Sequence, residues 1–189
     1  ENHALEVVKF KAGQIYGEPI QYVCKKKKAD KKINEQVDLL NDYLDEANAD
    51  ARNIQLGIYQ SAVGTAYKAI LREDDWTKDR DLPPFRIFIP YPGDVYIVYS
   101  RNTGKAMLSV QILKDEENQQ YYLCYSSNQY FKIKNGQVTV SGINGFGGIP
   151  IIEYPNNHDR LSDVEIAITA FDAINKYQSD RLNGVEQFV

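Results

Sequence analysis

The sequence predicts an α+β domain in which N-terminal helices pack on a meandering antiparallel sheet and one long C-terminal helix follows. Three observations carry that prediction. Apolar residues recur at helical spacing as far as about residue 63, and after Gly64 the period changes to two. From Leu161 a stretch without proline resumes helical spacing and runs to Val189. Helices and strands are thus segregated along the chain, which argues against an alternating α/β fold.

The first helix spans Ala4 to Tyr16, with Leu5, Val8, Ala12 and Ile15 on one face and Gly17 placed to end it. Glu18-Pro19 turns the chain into a short predicted strand, Ile20 to Cys24, and the basic run Lys25–Lys28, Lys31 and Lys32 follows. Asn34 is positioned to cap a helix from Glu35 to about Ala47, with Val37, Leu40 and Leu44 on one side; Asp50 is positioned to cap another through Val63. Beyond Gly64, Tyr67, Ala69 and Leu71 alternate with Lys68, Ile70 and Arg72 as in a strand. Asp74 to Pro84 is rich in aspartate and reads as a loop. Strands are then expected at 85–89, 95–99, 107–113, 120–125, 130–133 and 138–140, separated by hairpin punctuation of which Asn135-Gly136 is the strongest. The strand at 151–154 is expected to join this meander. Ser162 and Glu165 then form the S-x-x-E pattern of a capping box, so that a helix from Asp163 to Val189 would be roughly 40 Å long. That helix divides the chain into a core, 1–160, and an extension, 161–189.

Composition bounds the function. A chain of 189 residues that is 43% hydrophobic and 25% charged can bury a core, and no apolar run is long enough to span a bilayer, so no membrane partner is expected. The formal net charge of −4 gives no overall attraction to nucleic acid. Cys24 and Cys124 stand alone, without metal or redox spacing. His3 and His158 lack ligand partners in the sequence. The glycines at 145, 147 and 148 lack the lysine and the flanking strand and helix of a phosphate loop. The acidic loop Asp74, Asp75, Asp79 and Asp81 fails the calcium-loop spacing, and the Lys25–Lys32 run carries no interleaved aromatics. No enzyme, metal or cofactor is expected from these residues.

The terminal helix carries more information. Val164, Ile168, Phe171, Leu182, Val185 and Val189 fall on one stripe, joined by Ala167, Ile174 and Phe188 and interrupted by Asn175 and Gln178. Its first half is expected to lie on the domain's own sheet and its second half on a neighbouring subunit or a further segment. The apolar ending without a cap, and the absence of an initiator methionine, predict a piece of a larger protein.

Four blocks of this sequence resemble the portal proteins of tailed bacteriophages, in the branch found among siphophages of Gram-positive hosts. They are residues 2–22, ending in Gly17-Glu-Pro-Ile20; Gly64-Thr-Ala-Tyr67; Ile149-Pro-Ile-Ile-Glu-Tyr-Pro-Asn-Asn157; and Leu161-Ser-Asp-Val-Glu165 with Phe171-Asp-Ala-Ile-Asn175, Gln178-Ser-Asp-Arg-Leu-Asn183 and Val185-Glu-Gln-Phe188. The resemblance implies a non-enzymatic structural subunit of a ring, a dodecamer, at one capsid vertex. Double-stranded DNA passes through such a ring, and terminase large subunit, head-completion or adaptor, scaffold and capsid proteins contact it. It implies the wing core in 1–160 and the start of the stem in 161–189, without the clip, channel loop or crown. Its subunit-interface candidates are Gln178, Asp180, Arg181, Leu182, Val185 and Phe188. Localisation would be the virion, and the host cytoplasm during assembly. Two readings from other classes stand beside it: another virion or baseplate component, and a phage-encoded metal-dependent nuclease using the loop at Asp74–Asp81.

Overall fold

A computed structural model describes residues 2–25, 31–73 and 82–186. Four helices and eight strands follow in the order α1 (His3–Tyr16), α2 (Lys31–Glu46), α3 (Ala49–Val63), β1 (Thr65–Arg72), β2 (Phe85–Phe88), β3 (Val95–Tyr99), β4 (Ala106–Lys114), β5 (Gln120–Tyr125), β6 (Gln129–Lys134), β7 (Gln137–Ile143), β8 (Ile151–Pro155) and α4 (Asp163–Glu186). The chain is α+β, as its periodicities predict.

The strands form two antiparallel sheets, not one meander. β1 sits centrally in a three-stranded sheet between β2 and β8, and β3 to β7 make a five-stranded meander. β8 therefore joins β1, with Ala69 opposite Ile151 and Thr65 opposite Pro155, rather than the meander. The division falls at Pro90-Tyr-Pro92, where two prolines deny the ladder its N–H donors and let the chain leave one sheet and start the next.

Alternation along β1 assigns the layers. Tyr67 and Ala69 bury against Val95 and Ile151, with Ile97 and Tyr125 of the large sheet packed onto them. Ala66 points the other way, into a cluster with Leu56 and Ile89 covered by Tyr16 and Tyr59. The small sheet is thus sandwiched between a helical layer and the large sheet, with an apolar core on each side. Helices α1 and α3 cross closely because Gly57 lies there; a Cβ on it would sit 2.7 Å from the Tyr16 ring and 3.3 Å from the Ala12 Cα.

Several local expectations shift. α1 is capped by Asn2, whose side chain accepts from the Leu5 N–H at 3.0 Å. α2 begins at Lys31, before Asn34. α3 begins at Ala49 behind Asn48 in the left-handed region, so Asp50 lies in the first turn, where its charge suits the helix dipole, rather than at the cap. Residues 20–24 form no strand. That segment is instead gripped by Asn41 of α2, whose amide accepts from the Tyr22 N–H and donates to its carbonyl, both at 2.9 Å. The Asn135-Gly136 hairpin has both residues at positive φ, 53° and 75°, as a type I′ turn requires.

Candidate functional site

The construction that distinguishes this fold is the junction where β8 delivers the chain to α4. Gly64, at the end of α3, has φ of 89°, and a Cβ there would lie 1.9 Å from the Arg160 carbonyl oxygen. Only glycine allows the loop before α4 to cross the α3–β1 turn this closely. The loop is fastened on both sides. Asn156 donates its backbone N–H to the Gly64 carbonyl at 2.9 Å and its side-chain amide to the Leu161 carbonyl at 3.0 Å. Asn157 donates to the same carbonyl at 2.7 Å.

Two carboxylates organise the junction. Glu153 of β8 leaves only 6% of its side chain exposed and is held two-pronged by Arg160, at 2.7 and 3.1 Å. It also accepts hydrogen bonds from Thr65 and from the Tyr99 hydroxyl, which ties the large sheet to the small one. The Arg160 hydrogen bond, with help from Tyr99 and Thr65, holds the Glu153 carboxyl below its ordinary range despite its burial. Burial and the neighbouring carboxylate push the Tyr99 hydroxyl up to about 12.

Asp163, the first residue of α4, accepts from Lys11 of α1 at 2.8 Å, from Ser61 of α3 at 2.6 Å and from Asn156 at 3.2 Å. Burial raises this carboxyl, but those hydrogen bonds outweigh it and leave the group below its ordinary value. Ser162 caps the helix, accepting from the Glu165 N–H at 2.9 Å, which is the first arm of the expected capping box. One aspartate thereby joins α1, α3 and the loop to the root of α4.

Past this root α4 is sparsely covered. It lies on α1 and α3, not on a sheet, because the helical layer stands between it and the strands. Val164, Ala167, Phe171 and Gln178 are half-buried. The Gln178 amide reaches His3 at 3.4 Å, which places this interface candidate against its own α1. Asp180, Arg181 and Leu182 are exposed, Leu182 at 67% beside Tyr177 at 71%. The Val185 side chain and Phe188 lie outside the described residues. So do Asp74–Asp81, the loop of the nuclease reading, and Lys26–Lys28 of the basic run. Lys11, Ser61, Asn156, Glu153 and Arg160 were not legible as a site. Their separation hides them, since Lys11 and Asp163 are 152 residues apart in the chain.

The outer face of the large sheet is the other bare surface. Register aligns Tyr96, Val110, Cys124 and Phe131 in one row across β3–β6, and Ile112, Tyr122, Ile133 and Val138 in the next. Val110 and Cys124 are buried, while Tyr96, Tyr122 and Val138 are exposed. Lys114 is the charge at its margin.

Among the described residues no group of three or more His, Cys, Asp or Glu side chains could hold a metal ion, and no helix is long and apolar enough to cross a membrane. One cleft is lined by Arg72, Arg86, Tyr125, Tyr130 and Phe146; another, apolar, lies beside Glu153, whose oxygens are already engaged. Neither pairs a nucleophile with a base.

Comparison with known proteins decides the identity. The family profile of phage portal proteins, SPP1 Gp6-like, matches residues 1–189, the whole of this sequence. The chain belongs to that family. No curated protein was found to match it. Membership in the portal family carries a structural role in the phage portal, a ring-forming one associated with the capsid vertex of the virion. The bolted junction and the bare helix beyond it are thus features of a portal subunit.

Proposed function

We propose that residues 1–160 are the wing-like core of a portal subunit and residues 161–189 the helix leading toward its stem. The assembled ring, a dodecamer, would serve as the channel for double-stranded DNA during packaging and ejection, and as the attachment site for terminase large subunit, head-completion or adaptor, scaffold and capsid proteins. Assembly would take place in the host cytoplasm. The observation that carries this reading is α4, fixed at its root by Asp163 and bare beyond it, with Leu182 and Tyr177 turned to solvent. A helix of 24 residues, about 36 Å long, outreaches what its own domain covers. Exposed apolar residues beside Asp180 and Arg181 are the composition of a subunit contact. Gln178, Val185 and Phe188 belong to the same proposed interface.

The charge suits a conduit. Each Lys or Arg held on a phosphate would release counterions and brake a sliding duplex. A chain with formal net charge −4 and a sequence pI near 5.3 presents little such drag.

Electron microscopy of the full-length protein tests the reading: rings with a central channel support it, whereas fibres or trimers overturn it. Reversal of both charges, Asp180→Lys with Arg181→Glu, should impair ring formation while leaving the melting temperature of residues 1–189 unchanged. An equal loss of folding would move these residues into the domain's own core.

A further inference from the structure

We infer that the apolar cleft beside Glu153 takes an extended segment of a partner protein, apolar at alternate positions and acidic at one end, as an added strand on β8. β8 is an edge strand of the three-stranded sheet, paired with β1 on one side. The phase of that ladder is fixed at both ends. Ile70 donates to the Pro150 carbonyl and Asn156 to the Gly64 carbonyl, both at 2.9 Å. Antiparallel pairing alternates, so Ile152 and Tyr154 turn their main chain to β1, and Ile151 and Glu153 turn theirs away from it. Among the described residues nothing pairs with the N–H or C=O of Ile151 or Glu153 on that free side. Ile151 is nevertheless only 2% exposed. Buried backbone groups are paired in nearly every native structure, because one left alone costs as much as a lost hydrogen bond. Two donors and two acceptors spaced along an edge are the template that an extended backbone completes.

The cleft supplies what such a strand needs beside the edge. Ile149 and Ile151 line it from the β8 side, and Ile97 and Tyr99 of β3 with Ala106 of β4 line it from the large sheet, around a volume of about 440 Å3. Ligand clefts run from roughly 300 to 1,000 Å3, so a few residues fit. Side chains of an added strand alternate between its faces, so every second one meets the apolar residues of the large sheet. Charge selects the end of the segment. Tyr99 and Ala106 flank the β3–β4 turn, whose two charges, Arg101 and Lys105, are exposed. Glu153, the carboxylate at the cleft, is already matched by Arg160. The rim is left positive, which favours a partner with carboxylates next to its apolar stretch. A second copy of this chain offers no such strand among the described residues: of its other edge strands, β2 carries Arg86, and β3 and β7 carry no acidic residue.

A fluorescent peptide, acetyl-Ser-Val-Ser-Val-Ser-Val-Asp-Asp-amide, tests the cleft by anisotropy with the full-length protein. Binding should saturate, and amide exchange at Ile151 and Glu153 should slow in the complex. The same peptide N-methylated at alternate amides keeps its side chains but cannot pair, and should bind at least roughly tenfold more weakly. Equal binding of the two would make the contact an apolar one only and overturn strand addition. No saturable binding of the unmethylated peptide, or slowed exchange that spares those two amides, overturns it as well. Ala106→Trp, at an exposed position, fills the cleft and should abolish binding with an unchanged melting temperature; undiminished binding by that variant sinks the proposal. Replacing both aspartates of the peptide by asparagine should weaken binding severalfold at low salt, and no change would overturn the acidic preference. Binding by unassembled subunits but not by rings would give the cleft to a second copy and overturn the partner assignment. Binding by a protein that forms no rings would leave the cleft's role standing and overturn the portal reading instead.

Discussion

The two ends of α4 are built on opposite principles. At its root, Ser162 and Asp163 are fixed by hydrogen bonds to α1, α3 and the preceding loop, with Glu153 and Arg160 locked beside them. Beyond Phe171, Gln178 meets His3 of α1, and Ile174, Tyr177 and Leu182 are exposed to water. One helix thus joins a region whose interactions are satisfied within the subunit to a region whose interactions await another. Stability and assembly are separable along it, and substitutions should sort accordingly.

The largest effect is expected at Gly64. Gly64→Val puts a branched side chain at φ of 89° and drives its Cβ into the Arg160 carbonyl, so a loss of about 3 kcal/mol or more, read by chemical denaturation, should follow. A mild loss would mean that the loop can lift away from the α3–β1 turn. Next comes Asp163→Ala, which leaves Lys11 with Asn156 alone and removes the acceptor of the Ser61 hydroxyl. About 2 kcal/mol is expected, with faster amide exchange confined to the root of α4. Unchanged exchange there would dissociate the aspartate from the anchoring of the helix.

The pH dependence comes third. Glu153 and Asp163 titrate below their ordinary values when folded, so each contributes stability that is present above the ordinary carboxylate range and lost as pH falls through the depressed folded values. Tyr99 has the opposite sign. Its folded value near 12 lies above the ordinary 10, so its contribution is full below pH 10 and fades as pH climbs toward 12. Tyr99→Phe should flatten that alkaline limb in thermal melts at pH 9 to 12 and, by removing one of the hydrogen bonds that depress Glu153, also weaken the acid one; a steeper alkaline limb would contradict the assignment. The smallest effect on folding is expected at the far end. Leu182→Ser should change subunit stability by less than about 0.5 kcal/mol while reducing ring formation. A larger destabilisation would show that the distal half is packed in the subunit after all.

What could be read from the sequence follows the range of the physics. The strands of the meander lie within a residue or two of their expected bounds, except that β7 runs three residues past its expected end at Val140, because period-two alternation and Asn-Gly turns act over a few residues. The segregation of helices and strands, and the long final helix with its Ser162 cap, were legible for the same reason. The partition into two sheets was not. It depends on β1 pairing with β8, whose partners Ala69 and Ile151 are far apart in the chain, and no local pattern announces that choice. The apolar stripe of α4 promised a sheet beneath it, but a stripe says only that something apolar covers it, and α1 with α3 supplied that cover. The junction carboxylates were invisible because Lys11, Ser61 and Asp163 meet only after the fold has formed.

The Asn41 grip on Tyr22 has a consequence for how a subunit could move. A carboxamide can imitate one peptide unit of a neighbouring strand, and here it makes both bonds that such a strand would make. Residues around Tyr22 are thereby registered to α2 by one side chain rather than by a ladder. A ladder must break several bonds at once, whereas this attachment releases with the turn of a single χ angle. The stretch that follows α1 is therefore tethered to α2 as by a latch, rigid while closed and opened at one point.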